Sequence, residues 1–262
     1  DSLTWKKIHD YVISKAPEKI EVDSLRNKRN SIITQFSRNP ISIDNRDLAG
    51  ITNVQFDQTK NKFIVGNVYG ETIYWPSSKD EFRIFGSPMI SYQVGNDAEY
   101  FTEIGYMNPS EIPSGSIYKK QNGQLITLAK ELHRPVFSQV EDLNNDRIDE
   151  VLICEFGNHT GELSILIQSD NKIEKKTILP LPGIIKTEVV DINKDGKKDI
   201  VVLASQGREG IYILYQESNL NFRLEQVIQM GSEYGSSWFE LIDYNGDNHL
   251  DIVMANGDNA DY

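Results

Sequence analysis

The sequence predicts an all-β fold assembled from repeated sheet units, and three observations carry that prediction. The first is a nine-residue loop that occurs three times, at Asp142 to Glu150, Asp191 to Asp199 and Asp243 to Asp251. The second is its spacing, 49 residues from first to second and 52 from second to third, a period that belongs to stacked or radial units rather than to one irregular domain. The third is the apolar run directly after each loop: Val151-Leu152-Ile153-Cys154, Ile200-Val201-Val202-Leu203 and Ile252-Val253-Met254. Short Ile- and Val-rich runs bounded by Gly, Asn and Asp read as strands. The loop therefore joins strand to strand.

Numbered from its first Asp, the loop carries oxygen-bearing side chains at positions 1, 3, 5 and 9. These are Asp142, Asn144, Asp146 and Glu150 in the first loop, Asp191, Asn193, Asp195 and Asp199 in the second, and Asp243, Asn245, Asp247 and Asp251 in the third. The position 7 backbone carbonyl, from Ile148, Lys197 or His249, is a further candidate ligand. An all-oxygen shell of this kind suits Ca²⁺. The helix-loop-helix calcium loop needs a bidentate Glu at position 12, where this chain has Ile153, Val202 and Met254, so that alternative fails. The bland alternative is an Asx-rich turn that binds nothing. Closely spaced acids repel one another unless a cation neutralises them, which favours up to three Ca²⁺ ions in a structural role.

With these loops the chain resembles the FG-GAP or VCBS repeats of integrin-α-like β-propellers. The resemblance implies that each repeat is one four-stranded blade, with Ca²⁺ held in the D-x-[DN]-x-D-G-x-x-D loop between its first two strands. It covers residues 138 to 262 well, whereas 25 to 137 fit only as degenerate blades. Glu155 to Gly161, Gln206 to Gly210, Tyr234 to Glu240 and Asn256 to Tyr262 are similar to a bacterial subgroup whose propeller often follows a c-type cytochrome domain. The chain is thus expected to hold about five blades, either as a closed ring or as part of a larger propeller, in a domain spanning 25–262. Residues 1–24 are read as a helix and linker left from an upstream domain, with the cytochrome as its candidate.

The 262 residues are 39% hydrophobic, enough for a real core, and carry a formal net charge of -12 with a pI near 4.8. That balance excludes a nucleic-acid partner, since no basic stripe is present to neutralise phosphates. The nine carboxylates at the ligand positions of the loops supply much of the acidity. The single cysteine, Cys154, cannot form an internal disulfide, and its apolar strand predicts a buried, inert thiol. The chain begins at Asp1 and shows neither a signal-peptide core nor an apolar run of about 20 residues; its start is read as trimmed. Millimolar calcium is an extracytoplasmic condition, so a secreted, periplasmic or cell-surface location is expected.

Along the chain, Ser2 to Ala16 reads as a helix with Thr4 as N-cap and Pro17 just past its end. It has no C-x-x-C-H for covalent haem, and His9 falls on its polar side. Residues 18–30 read as a linker and Ser31 to Phe36 as an outer or closing strand. Ile51 to Trp75 holds two or three strands. This first unit offers Asp57, Thr59 and Asn61 at positions 1, 3 and 5 but Val65 at position 9, so its loop is expected to hold no metal. A second unit starts near Met89, turns at Gly95-Asn96-Asp97 and ends with Leu125 to Leu128 as its outer strand. Three loop-bearing units begin near 136, 185 and 237, the last without outer strands.

Trp238, Phe239, Tyr234 and Phe156 are read as packing residues, with stacking on a ligand as the sharper alternative. Asn158-His159-Thr160, Gln206 to Gly210 and Asn256 to Tyr262 come after the second strands of their units and are expected on one face, where a ligand would sit. Ser236, His159 and Asp258 supply the residue types of a hydrolase triad without evidence of proximity. The favoured function is a non-catalytic calcium-binding scaffold that takes a protein or glycan on its loop face. The alternative is a calcium-containing polysaccharide-active or cytochrome-associated redox module.

Overall fold

A strand with four consecutive apolar residues must bury both of its faces, because successive side chains point to opposite sides. Val151 to Cys154 and Ile200 to Leu203 are fully buried, and the sheets around them show why. The computed structural model describes residues 50–75, 81–83, 86–169 and 172–257, all within the compact unit Asn45–Tyr262. The helix expected over Ser2 to Ala16, His9, the boundary at 24/25, the strand at Ser31 to Phe36 and the segment after Gly257 lie outside the described residues.

The described residues form strands and turns, with no helix among them. The first sheet contains β1 (Ile51–Asp57), β2 (Lys62–Asn67), β3 (Glu71–Trp75) and β4 (Glu81–Arg83). The second contains β5 (Met89–Val94), β6 (Glu99–Glu103), β7 (Gly115–Gln121) and β8 (Gln124–Leu132). The third contains β9 (Pro135–Glu141), β10 (Glu150–Glu155), β11 (Glu162–Ser169) and β12 (Lys172–Leu179); the fourth, β13 (Ile184–Val190), β14 (Asp199–Ala204), β15 (Gly210–Ser218) and β16 (Asn221–Gln229). A fifth sheet has two described strands, β17 (Ser236–Ile242) and β18 (Asp251–Asn256). Each sheet is an antiparallel meander in chain order. The loop-bearing units thus start where the sequence places them.

The first strands of the five sheets pack in succession, β1 on β5, β5 on β9, β9 on β13 and β13 on β17. The fourth strands lie far from them and are the most exposed, as β12 and β16 show. Between each pair of neighbouring sheets sits one apolar layer. Ile64 of the first sheet meets Tyr92 and Phe101 of the second; Tyr100 and Ile117 of the second meet Val151 and Ile153 of the third. Leu152 and Cys154 leave the other face of β10 and pack with Ile200 and Val202 of the fourth, while Val201 and Leu203 face Phe239 of the fifth. Each such side chain contributes about 1.5–3 kcal/mol on burial. The unbroken apolar runs are therefore strands shared between two interfaces. Val54, Phe56 and Val253, on the first and last sheets, are 57%, 45% and 42% exposed, because each of those sheets has a described neighbour on only one side.

All five first strands carry the same irregularity. Their register against the second strand slips by one residue at Thr52, Ile90, Val136, Ile185 and Ser237. An extra residue of this kind bends a strand and re-aims its side chains. The bend recurs in the two sheets that lack the acidic loop, so the repeat extends over the whole described chain. It also places Asn53, Ile90, Val136, Ile185 and Ser237, one residue from each sheet, around a single cavity of about 760 Å³.

Candidate metal loops and central cavity

The three acidic loops connect the first and second strands of sheets three, four and five, and they fold alike. Positions 4 and 6 adopt a left-handed backbone in each: Asn145 and Arg147, Lys194 and Gly196, Gly246 and Asn248. Asn and Gly tolerate that conformation, whereas Lys194 and Arg147 each bear a steric cost of roughly 1 kcal/mol there. The two reversals wrap the backbone N–H groups inward. The position 1 carboxylates accept from the N–H groups of positions 5 and 6, at 3.0 and 2.8 Å for Asp142, 3.0 and 2.8 Å for Asp191, and 3.0 and 2.9 Å for Asp243. Asn144, Asn193 and Asn245 accept at 2.9–3.0 Å from the N–H of position 5. Asp146, Asp195 and Asp247 accept from the N–H of position 7, at Ile148, Lys197 and His249. Position 9 closes the loop, with Glu150, Asp199 and Asp251 accepting from the N–H of Leu143, Ile192 and Tyr244.

The matched family has the description FG-GAP-like repeat, and the match opens on Asp191 at the head of the second loop and ends on Met254 in β18. Residues 191–254 match an FG-GAP-like repeat. No curated protein matches the chain.

The FG-GAP-like segment contains two of the three acidic loops, and the hydrogen bonds they share with Asp142 to Glu150 extend the same local structure one sheet upstream. Among the described residues no group of three or more His, Cys, Asp and Glu side chains is gathered as a metal cluster, and each loop carboxylate is turned onto a backbone N–H. The donor set nevertheless suits a hard cation, being carboxylates, one amide and a backbone carbonyl. Glu150 adds a specific mark, since its Oε1 is buried without a hydrogen-bond partner. Burial pushes the Glu150 carboxyl up to about 7, against the Leu143 N–H bond, and Asp146, Asp142 and Asp149 push it further. Burial also raises Asp199, with Asp195 adding repulsion. Asp195 and Asp247 are instead held low, first by the N–H groups of Lys197 and His249. A cation at these loops would relieve repulsion that N–H donors only partly offset.

Position 8, which nothing in the loop pattern singles out, reaches back to the preceding sheet. Asp149 accepts from the Asn96 backbone N–H at 2.8 Å and from its side-chain amide at 2.7 Å. Lys198, one sheet later, bonds Glu141 and the Asp142 carbonyl at 2.5 and 2.9 Å. The acidic loops thus tie sheets together besides turning a corner.

The central cavity is polar where sheet four meets sheet five. Lys186 is 2% exposed; its ammonium lies 2.8 Å from Glu188, 3.0 Å from Glu240 and 3.8 Å from the centre of the Trp238 ring. The indole N–H of Trp238 donates to Glu240, and that bond, with Lys186 second, holds the Glu240 carboxyl low. Of the candidate aromatics, Phe239 is buried core, while Trp238 and Tyr234 are 43% and 42% exposed. Cys154 is buried as expected, and burial raises its thiol. The triad types are not brought together. Ser236 is buried with its hydroxyl 2.6 Å from Glu209, His159 is exposed and lines a different cavity, and Asp258 lies outside the described residues.

Proposed function

We propose that the chain is a calcium-stabilised β-propeller of five blades that acts as a non-catalytic, extracytoplasmic binding scaffold. An FG-GAP-like repeat suggests a β-propeller-like protein-binding scaffold. The observation that carries the calcium reading is the threefold recurrence of one acidic loop with one set of hydrogen bonds and one pair of left-handed residues, together with the unpartnered buried Oε1 of Glu150. Asp142, Asn144, Asp146 and Glu150, with the Ile148 carbonyl, would hold the first ion. The equivalent sets starting at Asp191 and Asp243, with the Lys197 and His249 carbonyls, would hold the second and third. Bound there, Ca²⁺ supplies charge neutralisation and a rigid corner, while the protein holds the oxygens in place.

Closure into a ring is supported by the five equivalent bends around one cavity and by the exposed apolar faces of the first and last sheets. Partners, whether protein or glycan, would engage the face formed by the loops after the second strands. Calcium titration by calorimetry, followed by metal analysis of the dialysed protein, tests the metal reading. Three ions per chain, falling to two in Asp195→Ala, is the expected result. Fewer than one ion per chain at millimolar calcium would refute it.

A further inference from the structure

An antiparallel meander puts its first-to-second and third-to-fourth turns at one end and its remaining connections at the other. The acidic loops occupy the first end. At the opposite end, between sheets three and four, is a cavity of about 490 Å³, within the size range of small-ligand sites. Asn158 and His159 enter it from the β10–β11 loop, Gln206 and Arg208 from the β14–β15 loop, and Pro180 and Pro182 from the connection between β12 and β13.

Its walls are held in place before any ligand arrives. Glu111, from the second sheet, accepts from the backbone N–H groups of Asn158 and His159 at 3.0 Å each and from the Thr160 hydroxyl at 2.5 Å. The Gly183 N–H donates to the Phe156 carbonyl at 2.7 Å, and the Ser205 N–H to the Gly183 carbonyl at 2.9 Å. These bonds join all three segments. The Arg208 carbonyl is fixed as well, by the Tyr212 hydroxyl at 2.8 Å.

Two polar groups in this braced site are unspent. The Arg208 guanidinium has no carboxylate partner among the described residues, although the chain carries a net charge of -12. Gln206 has its amide oxygen buried without a donor. A guanidinium recognises a carboxylate through paired N–H bonds, and a buried acceptor oxygen calls for a hydroxyl donor because leaving it unmet costs about 1–3 kcal/mol. Pro180, Pro182 and Leu181 supply apolar wall for the carbon skeleton.

We propose that this cavity binds a small hydroxylated carboxylate, with the carboxylate on Arg208 and a hydroxyl donating to Gln206. The location rests on the loop-face reading under the proposed function, but neither calcium nor ring closure enters the chemistry. The two sources of such a group are an acidic sugar unit and an aliphatic hydroxy acid. Calorimetric titration of the full chain with D-glucuronate and with L-malate, in about 0.15 M salt, distinguishes them by which binds more tightly. D-glucose and succinate, which lack the carboxylate and the hydroxyl respectively, serve as controls. Saturable binding of one or both hydroxy-carboxylates, weakened at least tenfold in Arg208→Gln and at least threefold in Gln206→Leu, with neither variant's melting temperature lowered, is the expected outcome. No saturable binding of either acid, equal binding of a control, or wild-type affinity in Arg208→Gln would overturn it. None of those failures touches calcium stoichiometry, so this proposal and the scaffold reading fall separately.

Discussion

The first and fourth sheets turn the same corner, from first strand to second, with opposite electrostatics. In the first sheet the only carboxylate of the corner, Asp57, is 2% exposed and fully engaged by the protein. Its Oδ1 accepts from the Thr59 N–H and hydroxyl and the Lys60 N–H, and its Oδ2 from the Tyr92 hydroxyl at 2.8 Å. Burial alone would raise this carboxyl, but the Thr59 and Tyr92 bonds outweigh it and hold it low. The Lys60 ammonium, 3.8 Å from Asp57 and also paired with Glu99, is a cation built into the chain. The fourth sheet places Asp191, Asp195 and Asp199 at its corner. Its own lysines serve poorly there, since Lys197 is an exposed partner of Asp195 and Lys198 is turned to Glu141. One corner carries its counter-charge in sequence and the other leaves it to the solvent, so only the second should respond to a change of cation.

The largest expected effect sharpens the contrast at the sheet four to sheet five seam. Lys186→Ala removes the buried ammonium between Glu188 and Glu240 and opens a void under Trp238; breaking a fully buried pair costs about 3–5 kcal/mol, and with both carboxylates partly exposed the loss should be about 3 kcal/mol. Chemical denaturation should register that loss whether or not calcium is present. A loss below about 1 kcal/mol would mean that Lys186 is a bystander in the cavity.

The next effect separates the two corners directly. Asp195→Ala should lower stability by about 2–3 kcal/mol when calcium is a hundredfold above its dissociation constant and by little in chelator. Lys60→Met should cost roughly 0.5–1 kcal/mol, by removing the ammonium shared by Asp57 and Glu99 while their Tyr92 hydrogen bonds remain, and equally in both conditions. Thermal melts of both variants with and without calcium decide the matter; identical calcium responses would erase the distinction.

A pH effect of roughly 1–3 kcal/mol belongs to the second sheet. Burial raises Glu103 to about 7, against the Tyr118 hydroxyl bond at 3.2 Å, and its Oε1 has no partner. The folded state therefore holds the proton more tightly than the unfolded chain. Its stabilising contribution is complete below the ordinary Glu range and is lost as pH rises through about 7. Denaturation midpoints at pH 4.5 and 7.5 should differ less in Glu103→Gln than in wild type, and an unchanged difference would remove Glu103 as the source. The smallest effect is a gain: Arg147→Gly relieves a φ of 74° and should stabilise by about 0.5–1 kcal/mol, read as a small rise in melting temperature.

What could be read from the sequence was what repeats at fixed spacing. The loop residues, the strand starts near 136, 185 and 237 and the burial of Cys154 all come from local pattern. Position 8 could not be read this way, because Asp149 and Lys198 share no chemistry and only their reach to the preceding sheet makes them equivalent. The strand bends were hidden for the same reason, since Thr, Ile, Val, Ile and Ser fill one register position. Lys186 looks like a solvated lysine until two carboxylates from separate strands and a tryptophan close around it. Arg208 and Gln206 lay in a segment the sequence marked as a ligand face, but the proline-walled cavity beside them depends on three connections distant in the chain.

Under the proposed function, calcium would hold sheets three to five and leave sheets one and two largely untouched. Hydrogen exchange read by mass spectrometry, with calcium and then with chelator, tests it across the whole chain at once. Faster exchange through β9 to β18 is expected in chelator, with the largest change in the segments flanking Asp142, Asp191 and Asp243, and nearly unchanged protection in β1, β2, β5, β6 and β7. Equal protection of both halves with and without chelator would contradict it, leaving the three acidic loops as ordinary turns.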